Sequence, residues 1–243
     1  MIAIGVTGTG TGVGKTVVAC AVAAAAVQRG LAVGVLKPVE TGVENDAADS
    51  DASRLIAVSS SGDPRSVVAP YVLQAPLAPM VAARRAAGSI DPARLDASFE
   101  TVGRARDVVI VEGAGGLLVP ITPELAYDTL FLRWNLGVVI VGPDRLGVIN
   151  HARLTVAAAQ RAGLSVGALV LNAVPPGRHD ASTGANFSVL AELMPGVPVV
   201  EFPWLPDAND GQTLAAAAER AGLPALLGFG ERRGVTPNLT EDS

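Results

Sequence analysis

The sequence predicts a doubly wound α/β fold, a mostly parallel sheet with helices on both faces. Three observations carry that expectation. Short, continuously apolar runs recur at Ile2–Val6, Leu31–Leu36, Asp107–Val111, Gly137–Val141, Val166–Asn172 and Pro198–Phe202, with the length of strands covered on both faces. Helix-length stretches separate them, some stopped by a glycine such as Gly30 or Gly163. No repeat, linker or composition break interrupts the 243 residues, so residues 1–228 are expected to form one domain and 229–243 a frayed tail.

The first strand opens onto the most informative stretch. Ile2–Val6 is followed by a loop with glycines at 8, 10, 12 and 14, then Lys15, Thr16 and an Ala/Val-rich helix over Thr16–Arg29. Strand, glycine-rich turn and helix N-terminus together are the setting of a phosphate-binding P-loop, so a P-loop NTPase-like sheet is expected. Glycines let the backbone N–H groups from Gly12 to Val17, through Val13 and Gly14, wrap phosphate oxygens. Lys15 would then place positive charge on the β/γ-phosphates, and the Thr16 hydroxyl would ligate Mg2+. Gly8 lies one position earlier than the standard spacing, where Thr9 stands.

The remaining elements follow in order. Strand, helix and strand over residues 2–36 form a βαβ unit with parallel strands. Lys37-Pro38 ends the second strand, and a polar segment, Val39–Asp51, leads to a short helix at Ala52–Val58. Proline-dotted Gly62–Pro79 reads as an irregular loop, and Met80–Ala87 as a helix. Asp91-Pro92 caps and starts a helix to Arg104. Beyond Asp107–Val111 come Glu112-Gly113-Ala114-Gly115-Gly116, an extended Leu117–Ile121 and a helix at Leu125–Trp134. Gly147–Asn150 leads into a helix at His151–Ala162, and further helices are expected at Ala185–Leu193 and Gln212–Ala221.

Composition narrows the class. Hydrophobic residues make up 49% and charged residues 17%, the balance of a globular chain. A net charge of -5 argues against a general nucleic-acid or anionic-membrane binder. Cys20, the one cysteine, sits on the apolar face of the first helix and reads as a small buried hydrophobe. The start of the chain lacks a signal-peptide pattern, and Val17–Val27 is too short to span a bilayer, so a cytoplasmic protein is expected.

In such sheets ligands bind outside the carboxyl ends of the strands, which singles out the residues found there. Lys37 either snorkels to solvent or neutralises charge on a transferring phosphoryl group. Thr41 is a turn hydroxyl or a substrate contact. Glu112 resembles the terminal carboxylate of a Walker B strand, which holds Mg2+; otherwise it orders the glycine turn after it. Asp46, Asp49 and Asp51 read as a solvated loop face from which one carboxylate could join the metal. His151 and His179 lack metal-ligand spacing, so no zinc site is expected, and Gly-x-Ser-x-Gly is absent.

Taken together, T-G-T-x-T-x-V-G-K-T (Thr7–Thr16), K-P-V-x-[ST]-G (Lys37–Gly42), V-E-G-A-G-G (Val111–Gly116), L-G-x-I-N-H (Leu146–His151) and P-W-L (Pro203–Leu205) resemble the dethiobiotin synthetase family. The stretched P-loop spacing is that family's own form. The resemblance implies an ATP- and Mg2+-dependent homodimer of biotin synthesis that converts 7,8-diaminopelargonic acid and CO2 to dethiobiotin. It implies Lys15 and Lys37 flanking the carbamate and γ-phosphate, and Thr16, Asp51 and Glu112 on Mg2+, with Asp49 a rival for Asp51. Thr41 would contact the substrate's amino or carbamate end, and Thr11 would also contact the substrate. Gly147, Val148, Ile149 and Asn150 would receive its carboxylate across the subunit interface. Gly113, Ala114 and Gly115 would border the nucleotide, and Asn172, Pro203, Trp204, Leu205 and Asp210 would form the adenine site. Two departures stand out: the family's Asn-Asp pair is Asn172-Ala173 here, and a tyrosine near the substrate carboxylate is replaced by Asn186.

A ParA/MinD-like ATPase switch shares the expected fold, but its loop carries an extra early lysine that Thr9–Gly12 lacks. A glutamine-dependent amidase would bring a further domain with a nucleophilic cysteine, and a GTPase would carry N-K-x-D; neither is found.

Overall fold

The computed structural model describes residues 1–43 and 49–230. In chain order its elements begin β1 (Ile2–Gly8), α1 (Lys15–Gln28), β2 (Val33–Leu36), β3 (Val39–Thr41) and α2 (Asp51–Val58). Next come α3 (Arg65–Val68), β4 (Tyr71–Leu73), α4 (Pro79–Arg85), α5 (Pro92–Gly103), β5 (Val108–Gly116) and α6 (Tyr127–Arg133). The chain continues through β6 (Gly137–Pro143), α7 (Val148–Arg161), β7 (Val166–Asn172), α8 (Asn186–Leu193), β8 (Val199–Phe202), α9 (Gly211–Arg220) and α10 (Leu223–Leu226).

Six strands form one sheet in the order β2-β5-β1-β6-β7-β8, every neighbouring pair parallel. β1 is therefore central, with β5 and β2 on one side and β6, β7 and β8 on the other. The strand order reverses across β1, and the crevice of a doubly wound sheet opens at such a point. Alternate residues of each strand feed opposite cores. Val108 and Ile110 face one layer with α1, α2 and α9, whereas Val109 and Val111 face the other with α5, α6 and α7. α1 is buried from Val18 to Ala26, and its small residues let the sheet, α2 and α9 close around it.

Several expectations are corrected. Val39–Thr41 is a strand within the segment read as polar loop, and it pairs in parallel with Tyr71–Leu73 in a second, two-stranded sheet. Gly62–Pro79 is thus not irregular throughout: it holds α3 and β4. The glycines after Glu112, read as a turn, are the end of β5, because Val6↔Glu112 and Gly8↔Gly116 remain paired. Leu117–Ile121 forms turns and one antiparallel bridge, Pro120 to Ala126, and no strand. Helix α7 starts at Val148, inside the segment expected to precede it, because Gly147 supplies a left-handed N-cap at φ 94°. Asp46 and residues 231–243 lie outside the described residues. Phe229, where the tail was expected to start, is buried, and its carbonyl accepts from the Arg29 guanidinium at 3.0 Å. Among the described residues no helix is long and apolar enough to cross a membrane.

Candidate active site

The carboxyl ends of β1, β2 and β5 bring the sequence-selected residues to one cleft. Thr11, Gly12, Gly14, Lys15, Thr16, Val17, Lys37, Thr41, Asp51, Glu112, Ala114 and Gly115 line a cavity of about 330 Å3, together with Arg54. Backbone geometry explains the glycines that matter most. Gly12 and Gly14 have φ of 70° and 96°, in the left-handed region that penalises any Cβ. A Cβ on Gly14 would also stand 2.0 Å from Asn172 Nδ2. That amide donates to the Val13 carbonyl at 3.1 Å, so β7 braces the loop. Lys15 Nζ lies over the loop and donates to the Gly10 carbonyl at 3.0 Å.

At the floor of the cleft charges meet. Lys37 Nζ donates to Glu112 Oε1 at 2.6 Å and to Asp51 Oδ2 at 2.7 Å. The Thr16 hydroxyl lies 2.8 Å from Asp51 Oδ1 and 2.9 Å from Glu112 Oε1, so one hydrogen faces two carboxylates. Lys37 is 3% exposed and Glu112 0%, and each is tolerable there only because the other neutralises it. Burial alone would lower the Lys37 ammonium, but Glu112 and Asp51 hold it raised above an ordinary lysine. Burial and the Lys37 charge instead bring the Lys15 ammonium down to about 8. Burial pushes against the Asp51 charge as well, yet Lys37 and the Thr16 hydroxyl keep its carboxyl below the usual range. Cys20 is buried, which pushes its thiol up to about 12.

These donors fit a hard divalent cation. Thr16 Oγ1, Asp51 Oδ1 and Glu112 Oε1 already converge, and Glu112 Oε2 is buried with no hydrogen-bond partner. Mg2+ takes such oxygens, one or two carboxylates with phosphates and water completing its shell. Among the described residues no group of three or more His, Cys, Asp or Glu could hold a metal ion.

The other sequence-selected residues lie elsewhere. Asp49 lines a separate pocket with Cys20, Arg54 and Asn209, and Asp51, not Asp49, meets Thr16. Val13 and Gly113 are buried; Gly113 packs against Tyr127 and Phe131. Pro203, Trp204 and Leu205 follow β8, Trp204 being 45% exposed. Asp210 caps α9, accepting from Thr213 N at 2.8 Å. Gly147, Val148, Ile149 and Asn150 form the start of α7 and do not line the cleft. Asn186 is 2% exposed, and its amide donates to Asp144 Oδ1 at 2.7 Å and to the Ser182 carbonyl at 2.9 Å. It is committed to the protein interior. Sequence reasoning missed Arg54; its spacing of three from Asp51 on one helix is the signal that places both on one face.

This fold and cleft define a P-loop nucleotide-binding protein. A family model described as an AAA domain matches residues 3–212. The ATP-dependent dethiobiotin synthetase BioD of Anaeromyxobacter dehalogenans is 40% identical over 202 residues, 83% of this chain and 90% of that one. The namesake from Thermodesulfovibrio yellowstonii is 32% identical over 91% of this chain and 97% of its own, and BioD 1 of Salmonella typhi is 37% identical over 82% and 88%. The chain belongs to the dethiobiotin synthetase family. Among solved structures, MinD of Pyrococcus horikoshii superposes with a TM-score of 0.56 at 14% identity, covering 93% of each chain. The Aquifex aeolicus MinC:MinD complex gives 0.54 at 16% identity, covering 90% of this chain and 95% of that one. At such identities the likeness concerns the fold alone.

Proposed function

We propose that the protein is a dethiobiotin synthetase, closing a ureido ring on 7,8-diaminopelargonic acid with CO2 and ATP. The observation that carries this reading is the junction of two cavities. The charged cleft of Lys15, Thr16, Lys37, Asp51 and Glu112 shares Thr11, Thr41, Ala114 and Gly115 with a second pocket of about 250 Å3. That pocket is walled by Pro76, Leu77, Pro79 and Val119, an apolar slot suited to the aliphatic chain of a diamino acid.

An amine of the substrate adds to CO2 and loses a proton, giving a carbamate. The carbamate oxygen attacks the γ-phosphorus of ATP in line, the bond to the β-bridging oxygen breaks, and ADP leaves. The neighbouring amine then attacks the carbamoyl carbon, loses a proton and expels phosphate as the C–O bond breaks, closing the ring. The protein's part is positioning and charge neutralisation. Lys15 binds the β/γ-phosphates, and the N–H groups of Gly12–Val17 wrap them. Lys37, held charged by two carboxylates, faces the carbamate and the migrating phosphoryl group. Thr11 and Thr41 orient the amino end. Thr16, Asp51 and Glu112 would hold Mg2+, which would supply neutralisation of phosphate charge during the transfer. Asn172, Pro203–Leu205 and Asp210 border the adenine. The substrate carboxylate meets the Gly147–Asn150 helix start of a partner subunit, a reading supported by Leu146 and Leu154, 80% and 62% exposed.

The test is incubation with diaminopelargonate, bicarbonate, Mg2+ and ATP. Dethiobiotin and phosphate are expected to form together and only with the diamine present. Phosphate release that ignores the diamine would refute the reading and favour a nucleotide switch.

A further inference from the structure

Asp51 is presented by a short helix, and both of its neighbours in sequence are tied to one ion pair outside the cleft. Glu40 of β3 is 1% exposed and occupies the unspecified position of the K-P-V-x-T-G pattern, to which the family resemblance assigns no role. Its Oε1 accepts from Ala52 N at 3.0 Å, and its Oε2 accepts from Arg65 Nη2 at 3.1 Å. The other arm of the guanidinium, Nη1, donates to Ser50 Oγ at 2.9 Å and Ser53 Oγ at 2.7 Å. Ser50 is the N-cap of α2 and accepts from Ser53 N at 3.2 Å. A buried carboxylate is costly unless its oxygens are satisfied, and here one is spent on the start of α2 and the other on the guanidinium that also holds the α2 cap. The residues before and after Asp51 are therefore clamped, whereas Asp51 itself, the first residue of the helix, points at Thr16 and Lys37.

We propose that Glu40, locked by Arg65, is a positioning residue that aims Asp51 at the metal position of the cleft. This rests on the reading of Asp51 as a metal contact. Groups that orient a metal's ligands typically change its affinity by about 10- to 100-fold when altered. Glu40→Gln keeps an acceptor for Ala52 N but loses the charge that fixes Arg65.

The test measures Mn2+ binding by electron paramagnetic resonance to the protein saturated with a non-hydrolysable ATP analogue. Analogue affinity in EDTA is measured alongside, and circular dichroism melting reports the fold. Glu40→Gln is expected to weaken Mn2+ by about tenfold and to leave metal-free analogue binding unchanged. In an Asp51→Asn background the same change is expected to add nothing, because the two act through one ligand. Unchanged Mn2+ affinity, an equal loss in both backgrounds, or a parallel loss of metal-free binding would overturn the proposal. If Asp51→Asn alone leaves Mn2+ binding intact, the metal role of Asp51 fails and the proposal fails with it. If Asp51→Asn weakens binding and Glu40→Gln does not, only the proposal fails. Should Glu40→Gln melt too low to test, Arg65→Lys, which keeps the charge but not the fork, is expected to give the same metal-selective loss and overturns the proposal if it does not.

Discussion

Replacing Lys37 by methionine separates what that residue does for the fold from what it does for chemistry. The Lys37–Glu112 pair is 2.6 Å long between side chains 3% and 0% exposed, so it counts as fully buried. The Lys37–Asp51 pair is 2.7 Å long, but the Asp51 side chain is 40% exposed, and solvent screens most of its worth. Methionine keeps the length and apolar volume of the lysine stem, so the cavity contribution is small. What remains is an orphaned buried carboxylate, which costs about 3–5 kcal/mol. At about 2–4 °C per kcal/mol for a chain of this size, the Tm falls by roughly 6–20 °C at pH 8. The pH dependence has a definite sign. Burial already holds the Glu112 carboxyl above its ordinary 4.5 in the parent, against the opposing pull of Lys37, and removing Lys37 raises it further. The penalty is then absent where Glu112 is protonated in both states and grows as pH rises through the raised folded value. In the parent the raised Lys37 contributes fully below pH 10.5 and loses that contribution as pH rises through its folded value, and the lowered Asp51 loses its own as pH falls below 3.8. The deficit of the variant should accordingly shrink from pH 8 to pH 5 in urea unfolding. A Lys37→Met/Glu112→Gln double variant, with no buried charge left alone, should recover most of the stability and none of the ring closure. A deficit below about 1 kcal/mol at pH 8, one that persists unchanged at pH 5, or no recovery in the double variant would refute the reasoning.

Three further outcomes are expected. Gly14→Ala forces an alanine to φ 96° and its Cβ into Asn172 Nδ2, a strain of about 1–3 kcal/mol located in the loop itself. Calorimetric titration should show ATP binding weakened by at least tenfold, with a Tm lowered by roughly 2–12 °C. Cys20 is 1% exposed with its thiol held near 12, so a chromogenic disulfide reagent at pH 8 should label it only in denaturant. Asn186→Ala leaves a carboxylate oxygen of Asp144 without its 2.7 Å donor, which costs about 1–3 kcal/mol by urea unfolding. A change in substrate KM larger than that loss of stability explains would show Asn186 facing the ligand instead.

How much of this was legible beforehand depended on whether a feature lies within one element or between two. The P-loop was readable because strand, glycines, Lys15 and Thr16 are contiguous, and the sheet because its strands are uniformly apolar. β3 and β4 escaped because Val39–Thr41 and Tyr71–Leu73 are three residues each, too short for a period, and become strands only by pairing with one another. The choice between Asp49 and Asp51 rests on where α2 begins. The Ser50 cap puts Asp51 on the first turn facing Thr16 and leaves Asp49 on the Asn209 side. Lys37, Glu40 and Glu112 are the harder case, since such residues are ordinarily surface residues. They are buried here because each meets an opposite charge from a distant part of the chain: Lys37 with Glu112, Glu40 with Arg65. Sequence periodicity registers which side of one element is apolar, and it carries no signal for a charge neutralised across two. That is why the strand-end rule could bring Lys37 and Glu112 to the same rim, yet left open whether the lysine faced solvent. The strand register answers it: Leu36 pairs with Val111, so Lys37, just past the end of β2, and Glu112, still within β5, stand side by side and their side chains meet in the cleft.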